Sequence, residues 1–473
     1  MRMIIAGEWV TGGRQEELRS PYNNEVIETV PVADVGDVDR AFAGAVRGAE
    51  HQRRLTAYER EAILRRAGDI ADARAEDLAQ TISRETGKPI SEAHGEASRV
   101  GDLLRLSGFE GSQLYGESLP LDAAPNGGTG RLGFTLRQPC GVVVAITPFN
   151  FPALLVVHKI GPALATGNAV VLKPARQTPL SALKLCEIFL DAGLHPEAIS
   201  CLTGPGDALG DAMCADSRVR KISFTGSLQT GERITRVAGV KKLSLELGAS
   251  CPVVIMPDAD IEAAASAIAV GGYANAGQVC ISVQRVVADK RVVGDLLDAL
   301  IPKVQAIKMG DPSESDTVLG SLISERDAVR VQAALREGCG NGAQVVSGGE
   351  RNGSVLTPAV VANVDPASPL SQDELFGPAV AVSTARDVDH AIELTNVTRY
   401  GLAAGIFTSD LSNAIRFARE VDSGNVHLNW TPLWRADLMP YGGLKDSGIG
   451  KEGPRYAVEE MTDLKTVVLH GAS

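Results

Sequence analysis

Between residues 140 and 247 the chain alternates short, unbroken apolar runs with longer helical patterns. The runs are 142–147, 169–173, 199–203, 221–225 and 243–247; helical patterns fill 152–166 and 179–193 and resume after Gly206 and after Ser227. A strand that is apolar throughout has both faces buried, and strands that alternate with helices run parallel. The pattern therefore predicts an α/β fold built on a parallel sheet covered on both sides. Such sheets bind ligands beyond the carboxyl ends of their strands. Asn150, Lys173, Gly204 to Gly206, Ser227 and Glu246 all fall there.

The flanking regions read as follows. Residues 3–10 alternate as one strand, turned by Thr11-Gly12-Gly13; 20–24 is a turn and 26–32 a strand. Two long helical patterns follow, the second opened by the capping-box spacing of Thr56 and Glu59. Gly87-Lys88-Pro89 breaks the region, and one further helix is expected over 91–114. A Gly/Asn/Pro/Thr-rich turn at 123–130 separates two hairpin arms, 117–121 and 131–138. After Gly248 a second α/β unit begins: a strand at 252–256, a helix at 261–270, a strand at 281–288, and later strands at 357–361, 379–383, 402–407 and 425–428. A helix over 454–461 and a strand over 464–469 end the chain.

A length of 473 residues calls for two or three domains. The net charge of −12 argues against nucleic acid as the main partner. The longest apolar runs, such as 140–146, are far too short to span a membrane, and residues 1–10 do not read as a signal peptide. Seven cysteines are scattered singly, with no metal-ligand spacing and no disulfide framework. A cytoplasmic protein without a metal site is the expectation.

Cys280 stands where the helix at 261–270 gives way to a strand, after the small-residue segment Gly271-Gly272-Tyr273-Ala274-Asn275-Ala276-Gly277-Gln278-Val279. A thiol there is either a nucleophile, if a base takes its proton, or a small buried hydrophobe. Glu246 lies in an apolar run; burial raises a carboxylate's pKa and suits it to general-base work, unless a cation simply pairs with it. Asn150 sits at a strand-to-helix turn, placed to stabilise an oxyanion or to cap a helix. The dinucleotide fingerprint GxGxxG is absent. Lys173, the close-approach glycines Gly204, Gly206 and Gly210, and the helix opening at Thr225-Gly226-Ser227 offer another way to hold a nucleotide. Each also has an ordinary structural explanation, but all lie on one edge of the sheet.

Pro148-Phe149-Asn150-Phe151-Pro152, Lys173-Pro174-Ala175, Phe224-Thr225-Gly226-Ser227, Leu245-Glu246-Leu247-Gly248, Gly277-Gln278-Val279-Cys280, Glu374-Leu375-Phe376-Gly377-Pro378 and Pro440-Tyr441-Gly442-Gly443 follow in that order. Together they resemble the motifs of the aldehyde dehydrogenase superfamily, from about Gly7 to the C-terminus. The nearest likeness is to the subgroup acting on lactaldehyde, phosphonoacetaldehyde and, without phosphorylation, glyceraldehyde 3-phosphate.

The resemblance implies a Rossmann-like doubly wound sheet for the cofactor (1–117 and 139–247), a second α/β catalytic domain (248–445), and a small β oligomerisation element (118–138 and 446–473). It implies a homodimer or homotetramer. Cys280 would be the nucleophile, Asn150 the oxyanion donor with the Cys280 amide, and Glu246 the base that activates water against a thioester. NAD(P) would be held by Ile146, Thr147, Pro148, Phe149, Lys173, Ala175, Arg176, Gly206, Gly210, Thr225, Gly226, Ser227, Leu247, Glu374 and Phe376. Relatives that prefer NAD often carry glutamate three residues after the motif lysine. Here that residue is Arg176, which favours the 2′-phosphate of NADP if it does not point into solvent. Arg435 and Arg99 are candidates to bind a substrate hydroxyl or anion, and an ion pair such as Arg435 with Asp437 is the competing role. Val279 replaces the arginine of phosphate-using relatives just before the cysteine, which favours a short polar aldehyde, neutral or singly charged. The alternatives are an acylating enzyme that transfers to coenzyme A, which the presence of Glu246 disfavours, and a binding protein on the same fold.

Overall fold

The computed structural model describes residues 1–125, 127–339 and 342–470. Asn126 of the expected turn and residues 471–473 of the C-terminal element lie outside the described residues.

The apolar runs form parallel strands in the order Ile199–Cys201, Ala169–Lys173, Val142–Ile146, Val219–Thr225 and Lys242–Glu246. The chain thus winds one way from Val142–Ile146 and then restarts on its other side. That reversal opens a crevice at the carboxyl ends between Val142–Ile146 and Val219–Thr225. The helix Leu154–Ala165 is buried on every side, including His158 and Lys159. A helix without a solvent face belongs inside the core, and its two charged-type residues must find partners there.

Local departures from the sequence reading have local causes. Residues 3–10 are a hairpin, Met3–Ile5 with Glu8–Val10, because Ala6 and Gly7 take φ of 50° and 88° and turn the chain. The second helical pattern is two helices, Ala57–Ala73 and Ala75–Thr86, kinked at Arg74; Thr56 and Glu59 do form the capping box. The expected helix over 91–114 is also two, Ile90–Ala97 and Val100–Ser112. At the break the Arg99 N–H closes a tight turn onto the Glu96 carbonyl at 3.2 Å.

The second sheet has seven strands in the order Gln344–Ser347, Ala359–Ala362, Ala379–Ala385, Val283–Asp289, Cys251–Ile255, Ala403–Phe407 and Asn425–Leu428; only the first runs antiparallel to its neighbour. Its second strand in the chain starts at Val283 rather than at 281, because the Ser282 N–H turns back to the Val279 carbonyl at 2.9 Å. Ser118–Leu119 pairs with Arg131–Pro139, which also pairs antiparallel with Thr462–His470 along its whole length. Leu132, Leu136, Leu464 and Leu469 on this small sheet are exposed. No helix among the described residues is long and apolar enough to cross a membrane.

Candidate active site

The segment before Cys280 is held in an unusual conformation. Asn275, Ala276 and Gly277 take φ of 48°, 53° and 71° in succession. A non-glycine residue in this region is strained and needs its surroundings to hold it. Both oxygens of Glu92 accept from the Asn275 N–H, at 2.9 and 3.1 Å. A side chain at 277 would bring its Cβ within 2.1 Å of the Gly377 carbonyl oxygen, so only glycine fits. Gln278 is buried, with its Oε1 accepting from the Ile323 N–H at 2.8 Å and its Nε2 donating to the Asn275 carbonyl at 3.1 Å. These bonds fix the turn that presents Cys280.

The Cys280 Sγ lies 2.9 Å from the Tyr441 hydroxyl. Burial pushes the thiol up to about 12, against the lowering effect of the tyrosine hydrogen bond. The group is therefore a thiol at neutral pH and needs a base to become a nucleophile.

Asn150 is buried at the end of Val142–Ile146. Its Nδ2 donates to the Gln278 carbonyl at 2.9 Å, and Lys88 Nζ and Asn275 Nδ2 hold its own carbonyl at 2.8 and 3.2 Å. An amide carries two N–H donors. One is spent on Gln278, and the other has no partner among the described residues.

A cavity of about 90 Å³ lies on one side of Cys280, lined by Arg99, Phe151, Leu154, His158, Thr225, Glu246, Leu247, Val279, Arg435, Tyr441 and Glu452 among others. Glu246 is buried, its Oε2 has no partner, and Oε1 packs where a Cβ on Gly442 would come within 2.8 Å. Burial, and then the nearby Glu452, push its carboxyl well above the ordinary range. Glu452 behaves oppositely. Burial opposes its charge, but Lys159 at 3.0 Å, Arg435 at 3.2 Å and His158 outweigh it and hold the carboxyl well below the usual range. Two carboxylates with pKa values driven apart are an arrangement suited to moving protons. Lys159 also donates to Thr225 Oγ1 at 2.6 Å.

Arg435 stacks over the Tyr441 ring at 3.9 Å and shares a 3.4 Å contact with His158 Nδ1; its buried Nε has no partner. The Arg435–Asp437 ion pair considered above does not form. Asp437 instead takes Arg99, whose Nε donates at 3.1 Å, and lies 3.4 Å from His158 Nε2. Both arginines line the cavity and each holds a carboxylate, Arg99 that of Asp437 and Arg435 that of Glu452, with the Arg435 Nε left over.

On the other side of Cys280 a narrow space is lined by Ala249, Glu374 and Phe376. Glu374 accepts from the Ala249 N–H at 3.0 Å, and burial pushes it up to about 7. Phe376 meets Phe149 edge-on at 5.9 Å.

Farther along the sheet edge a cleft of about 350 Å³ is lined by Ile146, Thr147, Lys173, Ala175, Arg176, Gly206, Gly210, Thr230 and Arg233 among others. Gly206 and Gly210 have nothing within 4 Å of where a Cβ would stand, which leaves a cradle open to a ligand. Lys173 is buried; burial and, against a raising influence from Cys201, the neighbouring Arg176 bring it down to about 8, and its Nζ donates to the Pro174 carbonyl at 2.7 Å. Ser227 caps the helix Leu228–Ala238 by accepting from the Thr230 N–H at 3.3 Å. Gly226 is covered by the Phe224 ring, 2.5 Å from where its Cβ would be. Thr225 and Leu247, grouped above with the cofactor residues, line the cavity beside Cys280.

Residues 9–467 match the model of the aldehyde dehydrogenase family. The chain belongs to the aldehyde dehydrogenase family. It is an enzyme of that class, an oxidoreductase with the aldehyde dehydrogenase fold. Among its relatives, a 3-sulfolactaldehyde dehydrogenase of Priestia aryabhattai is 40% identical, the match covering 99% of this chain and 98% of that protein. A lactaldehyde dehydrogenase of Methanococcus vannielii is 37% identical over 99% of this chain and all of its own length. The crystal structure of an NADP-dependent glyceraldehyde-3-phosphate dehydrogenase from Bacillus halodurans C-125, complexed with NADP, superposes with a TM-score of 0.97 at 34% identity, covering 100% of this chain and 99% of that one.

In this aldehyde dehydrogenase the structure adds Tyr441, Lys159, His158 and Glu452 to the residues around the cysteine. The signal for three of them was present: Tyr441 stands in the motif Pro440-Tyr441-Gly442-Gly443, and His158-Lys159 interrupts an otherwise apolar helix, which is costly without partners. Glu452 gave no such signal, since its partner Lys159 is 293 residues away.

Proposed function

We propose that the enzyme oxidises a short polar aldehyde, neutral or singly charged, to the carboxylic acid with NAD(P), through a covalent intermediate on Cys280. The observation that carries this reading is the Cys280 thiol, hydrogen-bonded to Tyr441 and sharing one cavity with Glu246. Cys280 attacks the carbonyl carbon as its proton passes to Glu246, which shares the cavity and releases that proton to solvent before the hydrolytic step; the oxygen becomes an oxyanion facing Asn150. Glu374 and Phe376, which line the narrow space on the other side of Cys280, would hold the nicotinamide, which would supply the hydride acceptor. Collapse of the tetrahedral adduct expels hydride from carbon and leaves a thioester. Glu246 takes a proton from water, the hydroxide adds to the thioester, and the acid departs as the thiolate is restored.

The cleft with Lys173 and Arg176 suits the adenosine half of the cofactor, and its open glycines and adjacent helix start suit the pyrophosphate. Arg176 favours NADP, the cofactor named for the Bacillus relative.

The cavity argues for the substrate class. At about 90 Å³ it is small beside sites for drug-sized ligands. The two cations on its wall are each paired with a carboxylate, Arg99 with Asp437 and Arg435 with Glu452. Cations already balanced in this way suit a hydroxyl or a single negative charge better than a phosphate dianion. The unpartnered Arg435 Nε is the donor for it. The relatives named for lactaldehyde and 3-sulfolactaldehyde belong to this substrate class.

We further assign residues 1–117 and 139–247 to cofactor binding, 248–445 to catalysis, and 118–138 with 446–473 to subunit contacts in a homodimer or homotetramer. The exposed leucines of the small sheet support the last. The seven cysteines are unpaired, in keeping with a reducing cytoplasm.

The test is reduction of NAD(P) with lactaldehyde, succinic semialdehyde, glyceraldehyde 3-phosphate and a long-chain alkanal, with and without coenzyme A. Lactaldehyde is expected to lead without any need for coenzyme A. Arg435→Ala should lower its kcat/KM by roughly 10- to 100-fold, the range for a hydrogen bond to a charged group. A long alkanal leading, unaffected by the arginine change, would refute the substrate assignment.

A further inference from the structure

Arg176 does not stand alone at the edge of the cofactor cleft. Its Nε donates to Glu16 Oε2 at 2.8 Å, across 160 residues of chain. The other oxygen, Oε1, takes Arg14, also at 2.8 Å. Glu16 lies on the strand Arg14–Arg19, which pairs with Val26–Val32 in a hairpin separate from both large sheets. The hairpin is anchored on the cofactor side of the molecule. Leu18 and Val30 pack with Leu180 of the helix Pro179–Asp191, and the Ala33 N–H bonds the Thr203 carbonyl at 2.9 Å. Residues two apart share one face of a strand, so the packing of Leu18 on Leu180 directs Glu16 to the same side, where it reaches Arg176. The Glu16 side chain is only 15% exposed, while that of Arg176 is 56% exposed. The carboxylate is thus the more buried partner and the arginine the more exposed one.

We propose that Glu16 is a specificity-determining residue that offsets Arg176 and restrains the enzyme's preference for a 2′-phosphate, so that both cofactors remain usable. The inference rests on the reading of Arg176 as the group that meets the 2′ position. A 2′-phosphate meets a guanidinium already neutralised by a carboxylate, and it is repelled by that carboxylate as well. A 2′-hydroxyl feels neither effect. The bond uses Nε and leaves the terminal nitrogens to donate, so the phosphate is weakened rather than excluded. The sequence offers no hint of this, because the arginine in the motif region reads as an unopposed cation.

The test is calorimetric binding of NADP, NAD, adenosine 2′,5′-bisphosphate and AMP to the wild type, Glu16→Gln, Arg176→Ala and the double variant. Glu16→Gln keeps the shape and removes the charge. It should tighten NADP and the bisphosphate by roughly 3- to 10-fold at low salt, since one partly exposed charge pair is screened by solvent. NAD and AMP should change by less than about 2-fold, and the gain should shrink in 0.5 M salt, where screening lengths approach contact distance. In the Arg176→Ala background, Glu16→Gln should give a smaller gain. Glu16→Ala serves as a second variant, and thermal melting checks that both fold. Unchanged or weaker NADP binding in both Glu16 variants would overturn the proposal while sparing the role of Arg176. If Arg176→Ala itself leaves the NADP-to-NAD affinity ratio unchanged, the reading of Arg176 fails and this proposal fails with it.

Discussion

The Cys280 Sγ and the Tyr441 hydroxyl lie 2.9 Å apart, and the tyrosine is held from its other side by the Arg435 guanidinium stacked on its ring. Two segments 161 residues apart thereby meet at one sulfur. Because burial pushes the thiol to about 12, any donor that stabilises the thiolate matters to its reactivity.

Tyr441→Phe removes that donor and keeps the ring that Arg435 covers. A hydrogen bond is worth about 0.5–1.5 kcal/mol net, so the alkylation rate of Cys280 by iodoacetamide at pH 8 should fall by roughly 2- to 10-fold. An unchanged rate, measured by mass of the Cys280 peptide, would show that the tyrosine does not assist the thiol.

The pH dependence follows from two raised groups. Cys280 is lifted by burial, and Glu246 by burial and by Glu452. Both act in their deprotonated forms, and a raised pKa moves the deprotonated form to higher pH. We therefore expect kcat/KM to climb steadily from pH 6.5 to pH 9, with an alkaline optimum. A bell centred below pH 7 would contradict it.

How much of this was legible in the sequence depends on the range of each interaction. The parallel sheet was readable because strand burial is written locally, in runs such as Val142 to Ala145. The place of Cys280 was readable as a break between a helix and a strand, and the family through the ordered motifs. The ion pairs were not. Arg99 reads as a helix residue until the break at Ser98 is seen, and Asp437 lies 338 residues away. Arg435 beside Asp437 looked like a local pair, yet the fold gives Asp437 to Arg99 and His158 and gives Arg435 to Glu452. Thr225 ends a strand at the expected nucleotide edge, yet its hydroxyl accepts from Lys159, 66 residues away. Sequence patterns give faces and periods, whereas buried charges choose partners by geometry assembled from distant segments.

Glu452 should matter to stability as well as to catalysis. Glu452→Ala leaves Lys159 and Arg435 without their shared buried carboxylate. Breaking such a pair by removing one partner costs about 3–5 kcal/mol, to be read as a lowered midpoint in urea. The sign with pH is fixed by the depressed carboxyl. Its contribution is fully present above the ordinary value of 4.5 and is lost as pH falls through the folded value. The difference between wild type and Glu452→Ala should therefore shrink in acid. A difference independent of pH, or below about 1 kcal/mol, would mean that the cluster tolerates the loss, as surface pairs do.

The central claim is a covalent acyl intermediate on Cys280 that Glu246 clears by activating water. Glu246→Gln removes the base and keeps the side chain's shape, so acylation should outrun hydrolysis. Incubated with NADP and lactaldehyde and then quenched, this variant should show by intact mass an added acyl group, mapped by peptide digestion to Cys280. Cys280→Ala should fold, bind NADP and carry no adduct. An adduct on another residue, or unmodified Glu246→Gln protein turning over at the wild-type rate, would contradict the account.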